Sequence, residues 1–335
     1  MRFAELTTFR VGGEITRFID GISEELIVKT IQDFPDAQII GGGSNILVGD
    51  SPYQGTVLKI NTGGSELDYD PCSGGMITVS AGVEWDAFVA QTITSGFVGL
   101  ETLSGIPGKV GAAPIQNIGA YGQEFSNVVA RVRTWDRIQK EYRTFTANQC
   151  GFGYRTSMFK ESENRFVVLD ITVQLKKGEL SLPIEYPELA HELGISVGER
   201  ANPRDVREKV LQIRARKGML LSESDHDTWS AGSFFINPSV TPAVAHALPK
   251  DAPRWSNSDG SIKLSAAWLL ENSGIRKGFR LGGAGISTKH VLALTNANGA
   301  TCEEVLELAR NAQDAVNIAF GIALTPEVRM INCTL

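Results

Sequence analysis

The stretch SGIPGKVGAAPIQNIGAYG, Ser104 to Gly122, constrains this chain's fold more than any other part of it. Five glycines (105, 108, 111, 119 and 122) and two prolines share it with Ile106, Val110, Ile115 and Ile118, and no acidic residue interrupts. Flexible linkers rich in glycine do not carry spaced isoleucines. Glycine reaches conformations closed to other residues and lets the backbone approach a neighbour closely. Joined to apolar side chains, that freedom predicts a wall wrapped around a large flat ligand, with an irregular loop between helix and sheet as the alternative. Gln116 and Asn117, near its centre, offer amide donors and acceptors to a heterocycle or a polyol chain.

A second glycine turn supports the same expectation. Gly41, Gly42, Gly43, Ser44 and Asn45 follow the strand-like AQII, and Ile46 begins the next apolar run. Successive backbone N–H groups in such a turn form a concave nest for phosphate, and a plain tight turn is the alternative. The pattern is not G-x-G-x-x-G, because Ile46 takes the third glycine's place, and no G-x-x-x-x-G-K-[ST] occurs. A nucleotide here requires another architecture.

Periodicity places the remaining elements. Ser23 caps a helix over EELIVKTIQDF with Leu26, Ile27, Thr30, Ile31 and Phe34 on one face. TVLKI and ITVSAGV read as strands, followed by a helix with a Trp85, Phe88, Val89, Ile93 stripe. VVARVRTWD, YRTFT and RFVVLDITVQL imply a mixed or antiparallel sheet, hence an α+β arrangement. VREKVLQIRARK is a basic amphipathic helix, and LSAAWLLENSG a short one stopped by Gly274. Thr301 and Glu304 box the start of a last helix, with Val305, Leu308, Ala312, Val316 and Ala319 on one face. EVRMI closes the chain as a strand.

Bulk properties exclude several classes. With 335 residues the chain holds two or three domains. A net charge of −6 and a pI near 5.4 leave no excess cations for general nucleic-acid binding. Cys72, Cys150, Cys302 and Cys333 match no zinc or iron–sulfur spacing, and the four histidines are scattered, so no metal is expected. The N-terminus lacks a signal-peptide run and no stretch is long enough for a membrane span. A soluble cytoplasmic protein is expected.

Three residues stand in chemically suggestive settings. Arg155 follows Tyr154 after the CGFG turn and is a candidate to stabilise developing negative charge, or an ordinary surface cation. Ser233, between a glycine and two phenylalanines, has a dry hydroxyl, or caps a turn. Glu327 is the sole acid of TPEVRMI, either edge-facing or functional.

GGGSNILV, SGIPGKVGAAPIQNIGAYG, CGFGYRTSMFK, AGSFFINP, AAWLLENSGIRKG and PEVRMI, in this order from about residue 7 to the C-terminus, resemble the UDP-N-acetylenolpyruvoylglucosamine reductases. The resemblance implies a vanillyl-alcohol-oxidase-like (PCMH-type) FAD-binding fold in two subdomains, 1–65 with 322–335 and 66–212. A third α+β domain, 213–321, would bind substrate. NADPH would reduce tightly held FAD, whose hydride then passes to the methylene carbon of UDP-N-acetylglucosamine enolpyruvate. The product would be UDP-N-acetylmuramate, a peptidoglycan precursor.

The family's roles carry over residue by residue. Gly41–Ile46 would contact the flavin nucleotide. So would Ser104, Gly105, Ile106, Pro107, Gly108, Gly111, Gln116, Asn117, Gly119, Ala120 and Tyr121. Arg155 and Glu327 would stabilise an enolate-like intermediate, with Ser233 donating the proton that completes reduction. Tyr154 would touch substrate, and Lys217, Asn237 and Lys277 would hold its uridine diphosphate. Tyr186 matches a substrate-covering tyrosine of the longer of two subclasses, and the intervening segment 178–202 is present. Ile236 departs from a common lysine, and HDTWSAGSFF is bulkier than a plain glycine-rich approach. A monomer acting on a small molecule is expected. Another oxidoreductase of the same flavin fold, and a non-catalytic flavin- or nucleotide-binding protein, are the alternatives.

Overall fold

The computed structural model describes residues 1–70 and 74–335, so Cys72 lies outside the described residues. By compactness the chain divides into two units. One comprises Ile15–Gly42 and Gln54–Arg216; the other comprises Met1–Glu14, Gly43–Tyr53 and Lys217–Leu335.

In the first unit the main sheet runs Glu141–Thr146, Val129–Asp136, Phe166–Lys177, Gly74–Ser80, Ser65–Asp70. Every pairing in it is antiparallel. A short strand, Phe97–Val98, joins the end of the long central one. A smaller sheet orders Ile15–Gly21, Tyr53–Ile60 and Gln38–Ile40, the last two parallel. The helix Glu24–Asp33 starts where Ser23 Oγ accepts the Leu26 N–H, and it buries Ile27, Val28, Thr30 and Ile31. Strand Ile15–Gly21 is an addition to the sequence reading: only its two ends are buried, so it carries no alternation to detect.

The helix Trp85–Thr94 anchors this unit's core through Trp85, which is 1% exposed. Its indole N–H donates to the Leu103 carbonyl at 3.0 Å, and its ring meets Phe125 edge-on at 6.1 Å. A buried indole without that acceptor would leave a donor unsatisfied, so packing and hydrogen bonding together fix where the glycine stretch begins.

The second unit is organised by the helix Cys302–Phe320. Thr301 Oγ1 accepts the Glu304 N–H and Glu304 returns the bond to the Thr301 N–H, a complete capping box. Val305, Leu308, Ala312 and Val316 are buried as their spacing predicts, but Ala319 is exposed. The apolar stripe ends one turn early, just before Gly321 terminates the helix at φ 66°. The strand Arg329–Ile331 pairs in parallel with Ile46–Val48, so the chain's end and the exit of the first glycine turn share a ladder. That strand is shorter than EVRMI, and Glu327 lies just before it. Among the described residues no helix is long and apolar enough to cross a membrane.

Candidate functional site

The 104–122 stretch is held from behind by its own unit. Val110 and Gly111 donate to the carbonyls of Val83 and Ala81, at 2.9 and 2.8 Å, and Trp85 donates to Gly108 at 2.9 Å. The approach is close: a Cβ on Gly111 would stand 2.6 Å from Ala81 Cβ. One on Gly42 would stand 2.7 Å from Gly108 Cα, so the two glycine turns abut there. At neither position is there room for a side chain. Along the other side, Ile106, Ile115, Ile118 and Ala120 are half-buried, packed on the core yet retaining apolar surface.

Two residues of the expected set have side chains engaged within the protein. Ser104 is fully buried, and its hydroxyl donates to the Glu101 carbonyl at 2.6 Å. Asn117 is also fully buried. Its amide donates to Glu124 at 2.7 Å and to the Gly153 carbonyl at 3.1 Å, and accepts from the Ser126 N–H at 2.9 Å. Both N–H groups of that amide are thus spent inside the protein, where they shape the loop.

The loop's outer bracing was missed by the sequence reading. The helix Pro203–Arg216 places Arg207 and Arg214 seven residues apart on the side that buries Val206, Val210 and Ile213. Arg207 grips Asp86 with two bonds, 2.6 and 2.8 Å, and Asp86 also accepts the Gly105 N–H at 2.6 Å. Burial opposes ionisation of Asp86, yet Arg207 and that N–H hold its pKa below the ordinary range. Arg214 donates to the Gly105 carbonyl at 3.0 Å and also bonds the Tyr121 hydroxyl. Burial raises that hydroxyl's pKa to about 12. Tyr121 meets Tyr186 edge-on at 5.3 Å. The i, i+7 spacing of the two arginines on an apolar face was the available signal.

Arg155 sits in a two-residue hairpin turn, where Gly153 and Thr156 exchange backbone bonds of 3.1 and 3.3 Å. Its φ is 56°, in the left-handed region that turns normally give to glycine. Its guanidinium donates to the Gly119 carbonyl at 2.8 Å and stands 5.4 Å from the ring of Tyr154. Among the described residues eight non-glycines have positive φ, and Asn117, Tyr121 and Arg155 are three of them. Backbone strain gathers in this set because neighbouring bonds hold it there.

The other unit carries Ser233 and Glu327. Phe234 donates to Leu292 at 2.8 Å and accepts the Glu327 N–H at 2.8 Å, while Ile236 donates to Thr325 at 3.0 Å. Ser233 thus precedes a residue paired directly with Glu327. Asn45 ties in the glycine turn: its amide donates to the Glu327 carbonyl at 3.3 Å, and its carbonyl accepts the Arg329 N–H at 3.1 Å. Gly43 allows the N-terminal segment to pass, since a Cβ there would meet the Leu6 carbonyl at 2.0 Å. Gly43–Ile46, Ser233 and Glu327 are brought together in one unit; Gly41, Gly42, the 104–121 residues and Arg155 belong to the other.

Asn237 caps the helix Ala266–Asn272, accepting the Ala266 N–H at 2.9 Å. Lys277 pairs with Glu271 at 3.4 Å, half exposed. Lys217 and Lys277 both act on His290, an unforeseen member of the group. Burial first, then these two charges, pull its imidazole down to about 4, and Nδ1 accepts the Leu292 N–H at 3.1 Å. The unfolded imidazole takes its proton near pH 6.5, the folded one near 4, so stability is full above 6.5 and drains as pH falls through that window. The maximum loss is about 3 kcal/mol. His290→Asn keeps an acceptor at the place of Nδ1 for Leu292 and removes the titration. Its thermal midpoint should fall less than the wild type's on acidification from about 6.5 to about 5; parallel curves would refute the assignment.

A flat dinucleotide suits what is present: half-exposed isoleucines beside close-packed glycine backbone, with Tyr121 braced at one end. The comparisons agree. Residues 24–141 match a family described as FAD binding domain, and residues 224–331 match UDP-N-acetylenolpyruvoylglucosamine reductase, C-terminal domain. A solved structure of UDP-N-acetylenolpyruvylglucosamine reductase from Thermus caldophilus has the same fold, with TM-score 0.67 and 24% identity, covering 99% of this chain and 97% of that one. The fold is accordingly the expected α+β, PCMH-type FAD-binding one. The UDP-N-acetylenolpyruvoylglucosamine reductase of Mycobacterium tuberculosis H37Rv is 42% identical over 99% of this chain and 94% of its own length. That of Cutibacterium acnes is 48% identical over 99% of this chain and 89% of its own. Identity at that level across nearly every residue places this chain in the UDP-N-acetylenolpyruvoylglucosamine reductase family.

Proposed function

We propose that this chain reduces UDP-N-acetylglucosamine enolpyruvate to UDP-N-acetylmuramate, with FAD as bound cofactor and NADPH as reductant. It would act in the cytoplasm, as a monomer, on the path to peptidoglycan. The observation that carries the reading is the backbone pairing of Ser233's segment with Glu327's, tied by Asn45 to the first glycine turn. Such a pairing suits a proton donor and a carboxyl acting on one small substrate.

Gly41–Ile46 and the 104–121 segment would hold the FAD. Bound flavin supplies hydride chemistry at the enolpyruvyl methylene carbon. Charge then gathers on the neighbouring carbon and its carboxylate. Arg155 is assigned to stabilise that charge, with Glu327 assisting, and Ser233 Oγ to protonate the carbon, recovering its own proton from solvent. Lys217 and Lys277, whose charges already act together on His290, would meet the diphosphate, with Asn237 beside them. Tyr154 and Tyr186 would touch the substrate. Tyr186, 36% exposed and standing edge-on to Tyr121, supports assignment to the longer subclass. The three-part division at 65, 212 and 321 belongs to this proposal too.

Purified protein should be yellow. Mixed anaerobically with NADPH it should bleach, and the enolpyruvyl substrate should restore the colour. Bleaching without restoration would make it another oxidoreductase of this fold; absence of FAD would overturn the reading altogether.

A further inference from the structure

We propose that Cys302 and Cys333 form a dithiol that hydrogen peroxide closes into a disulfide. Both belong to the second unit and flank one turn, Gly49–Asp50. Cys302 opens the long helix, with its backbone N–H donated to Asp50 Oδ2 at 2.7 Å. Cys333 follows the strand Arg329–Ile331, and its thiol donates to the Leu47 carbonyl at 3.5 Å. Gly49 donates to Ile331 at 2.9 Å, and a Cβ on Gly49 would lie 3.6 Å from Cys333 Cβ. Both pack in the same apolar core, near enough that each shifts the other's titration. The function proposed above uses neither.

Geometry assigns the order of events. Cys302 is 2% exposed, whereas Cys333 is only partly buried, so peroxide meets Cys333 first. The neighbouring Cys302 thiol holds the Cys333 pKa below its ordinary value, while Cys333 and burial raise that of Cys302. The Cys333 thiolate attacks peroxide; an S–O bond forms, the O–O bond breaks, and the hydroxide released leaves as water. Cys302 sulfur then attacks the Cys333 sulfenic acid; the S–S bond forms, the S–O bond breaks, and a second water leaves with the Cys302 proton. Two thiols lose two electrons and two protons, and peroxide becomes two waters. Cys333 lies beyond the strand, in irregular backbone next to Asn332, whose φ is 56°.

The closed ring would enclose the entire long helix and constrain the unfolded chain, raising the thermal midpoint by ~3 °C or more. The test treats the full chain with hydrogen peroxide, alkylates it, and maps peptides without reductant. One cross-linked pair, Cys302 with Cys333, is expected, reversed by dithiothreitol. Cys302→Ser should leave a sulfenic acid at Cys333 that dimedone traps, and Cys333→Ser should leave Cys302 unmodified at the same dose. Wild-type protein whose two thiols both remain alkylatable after treatment, or in which Cys150 or Cys72 oxidises first, overturns the proposal.

Discussion

Replacing Ser233 by alanine should leave reduction of the bound flavin by NADPH at its wild-type rate and slow reoxidation by the enolpyruvyl substrate by about 10²–10⁴-fold. The split follows from where the hydroxyl is held. Ser233 sits between Gly232, at φ 74°, and the buried Phe234 and Phe235. The Phe234 N–H donates to Leu292 and the Phe234 carbonyl accepts from Glu327, which fixes the backbone just after it. None of these involves the serine oxygen, so the alanine variant should keep the fold and lose only the proton source. Stopped-flow measurement of each half-reaction separates the outcomes. Loss in both by the same factor would mean that Ser233 supports the cofactor's seat rather than the protonation.

The elements that sequence reading located are those written in local chemistry. Ser23 before an apolar helix, and Thr301 with Glu304, declare helix starts because the bonds involved span three residues. The strand Ile15–Gly21 declares nothing, because its burial comes from a sheet partner about forty residues on. The same distinction runs through the site. The glycine turns were legible as close approaches, but not what they approach: Gly111 needs Ala81, and Gly43 needs Leu6. Asn117 reads as a spare amide until Glu124, Ser126 and Gly153 are seen to occupy it. Pairing of Glu327 with Phe234, and of Asn45 with Glu327, joins positions 93 and 282 residues apart, and no local pattern encodes such a register. Arg207 and Arg214 were visible as a basic helix face, but their targets at Asp86 and Gly105 were not.

Arg155 permits a sharper test, because its backbone and its side chain make opposite demands. At φ 56° a non-glycine residue strains the turn by about 1–2 kcal/mol. The guanidinium offsets this in part through its bond to the Gly119 carbonyl, worth about 1 kcal/mol. Arg155→Gly removes both contributions and should unfold near the wild-type midpoint. Arg155→Ala removes the bond but keeps the strain, and should be less stable than the glycine variant by about 1 kcal/mol. Activity should not follow that order. Both variants lose the cation assigned to the developing enolate, so both should slow reoxidation by about 10²–10³-fold. Denaturant melts beside single-turnover rates would decide the matter. Were Arg155→Gly as active as wild type, the cation's role would be gone; were it less stable than Arg155→Ala, the strain at this turn would be gone. A residue kept where glycine fits better is kept for what its side chain does.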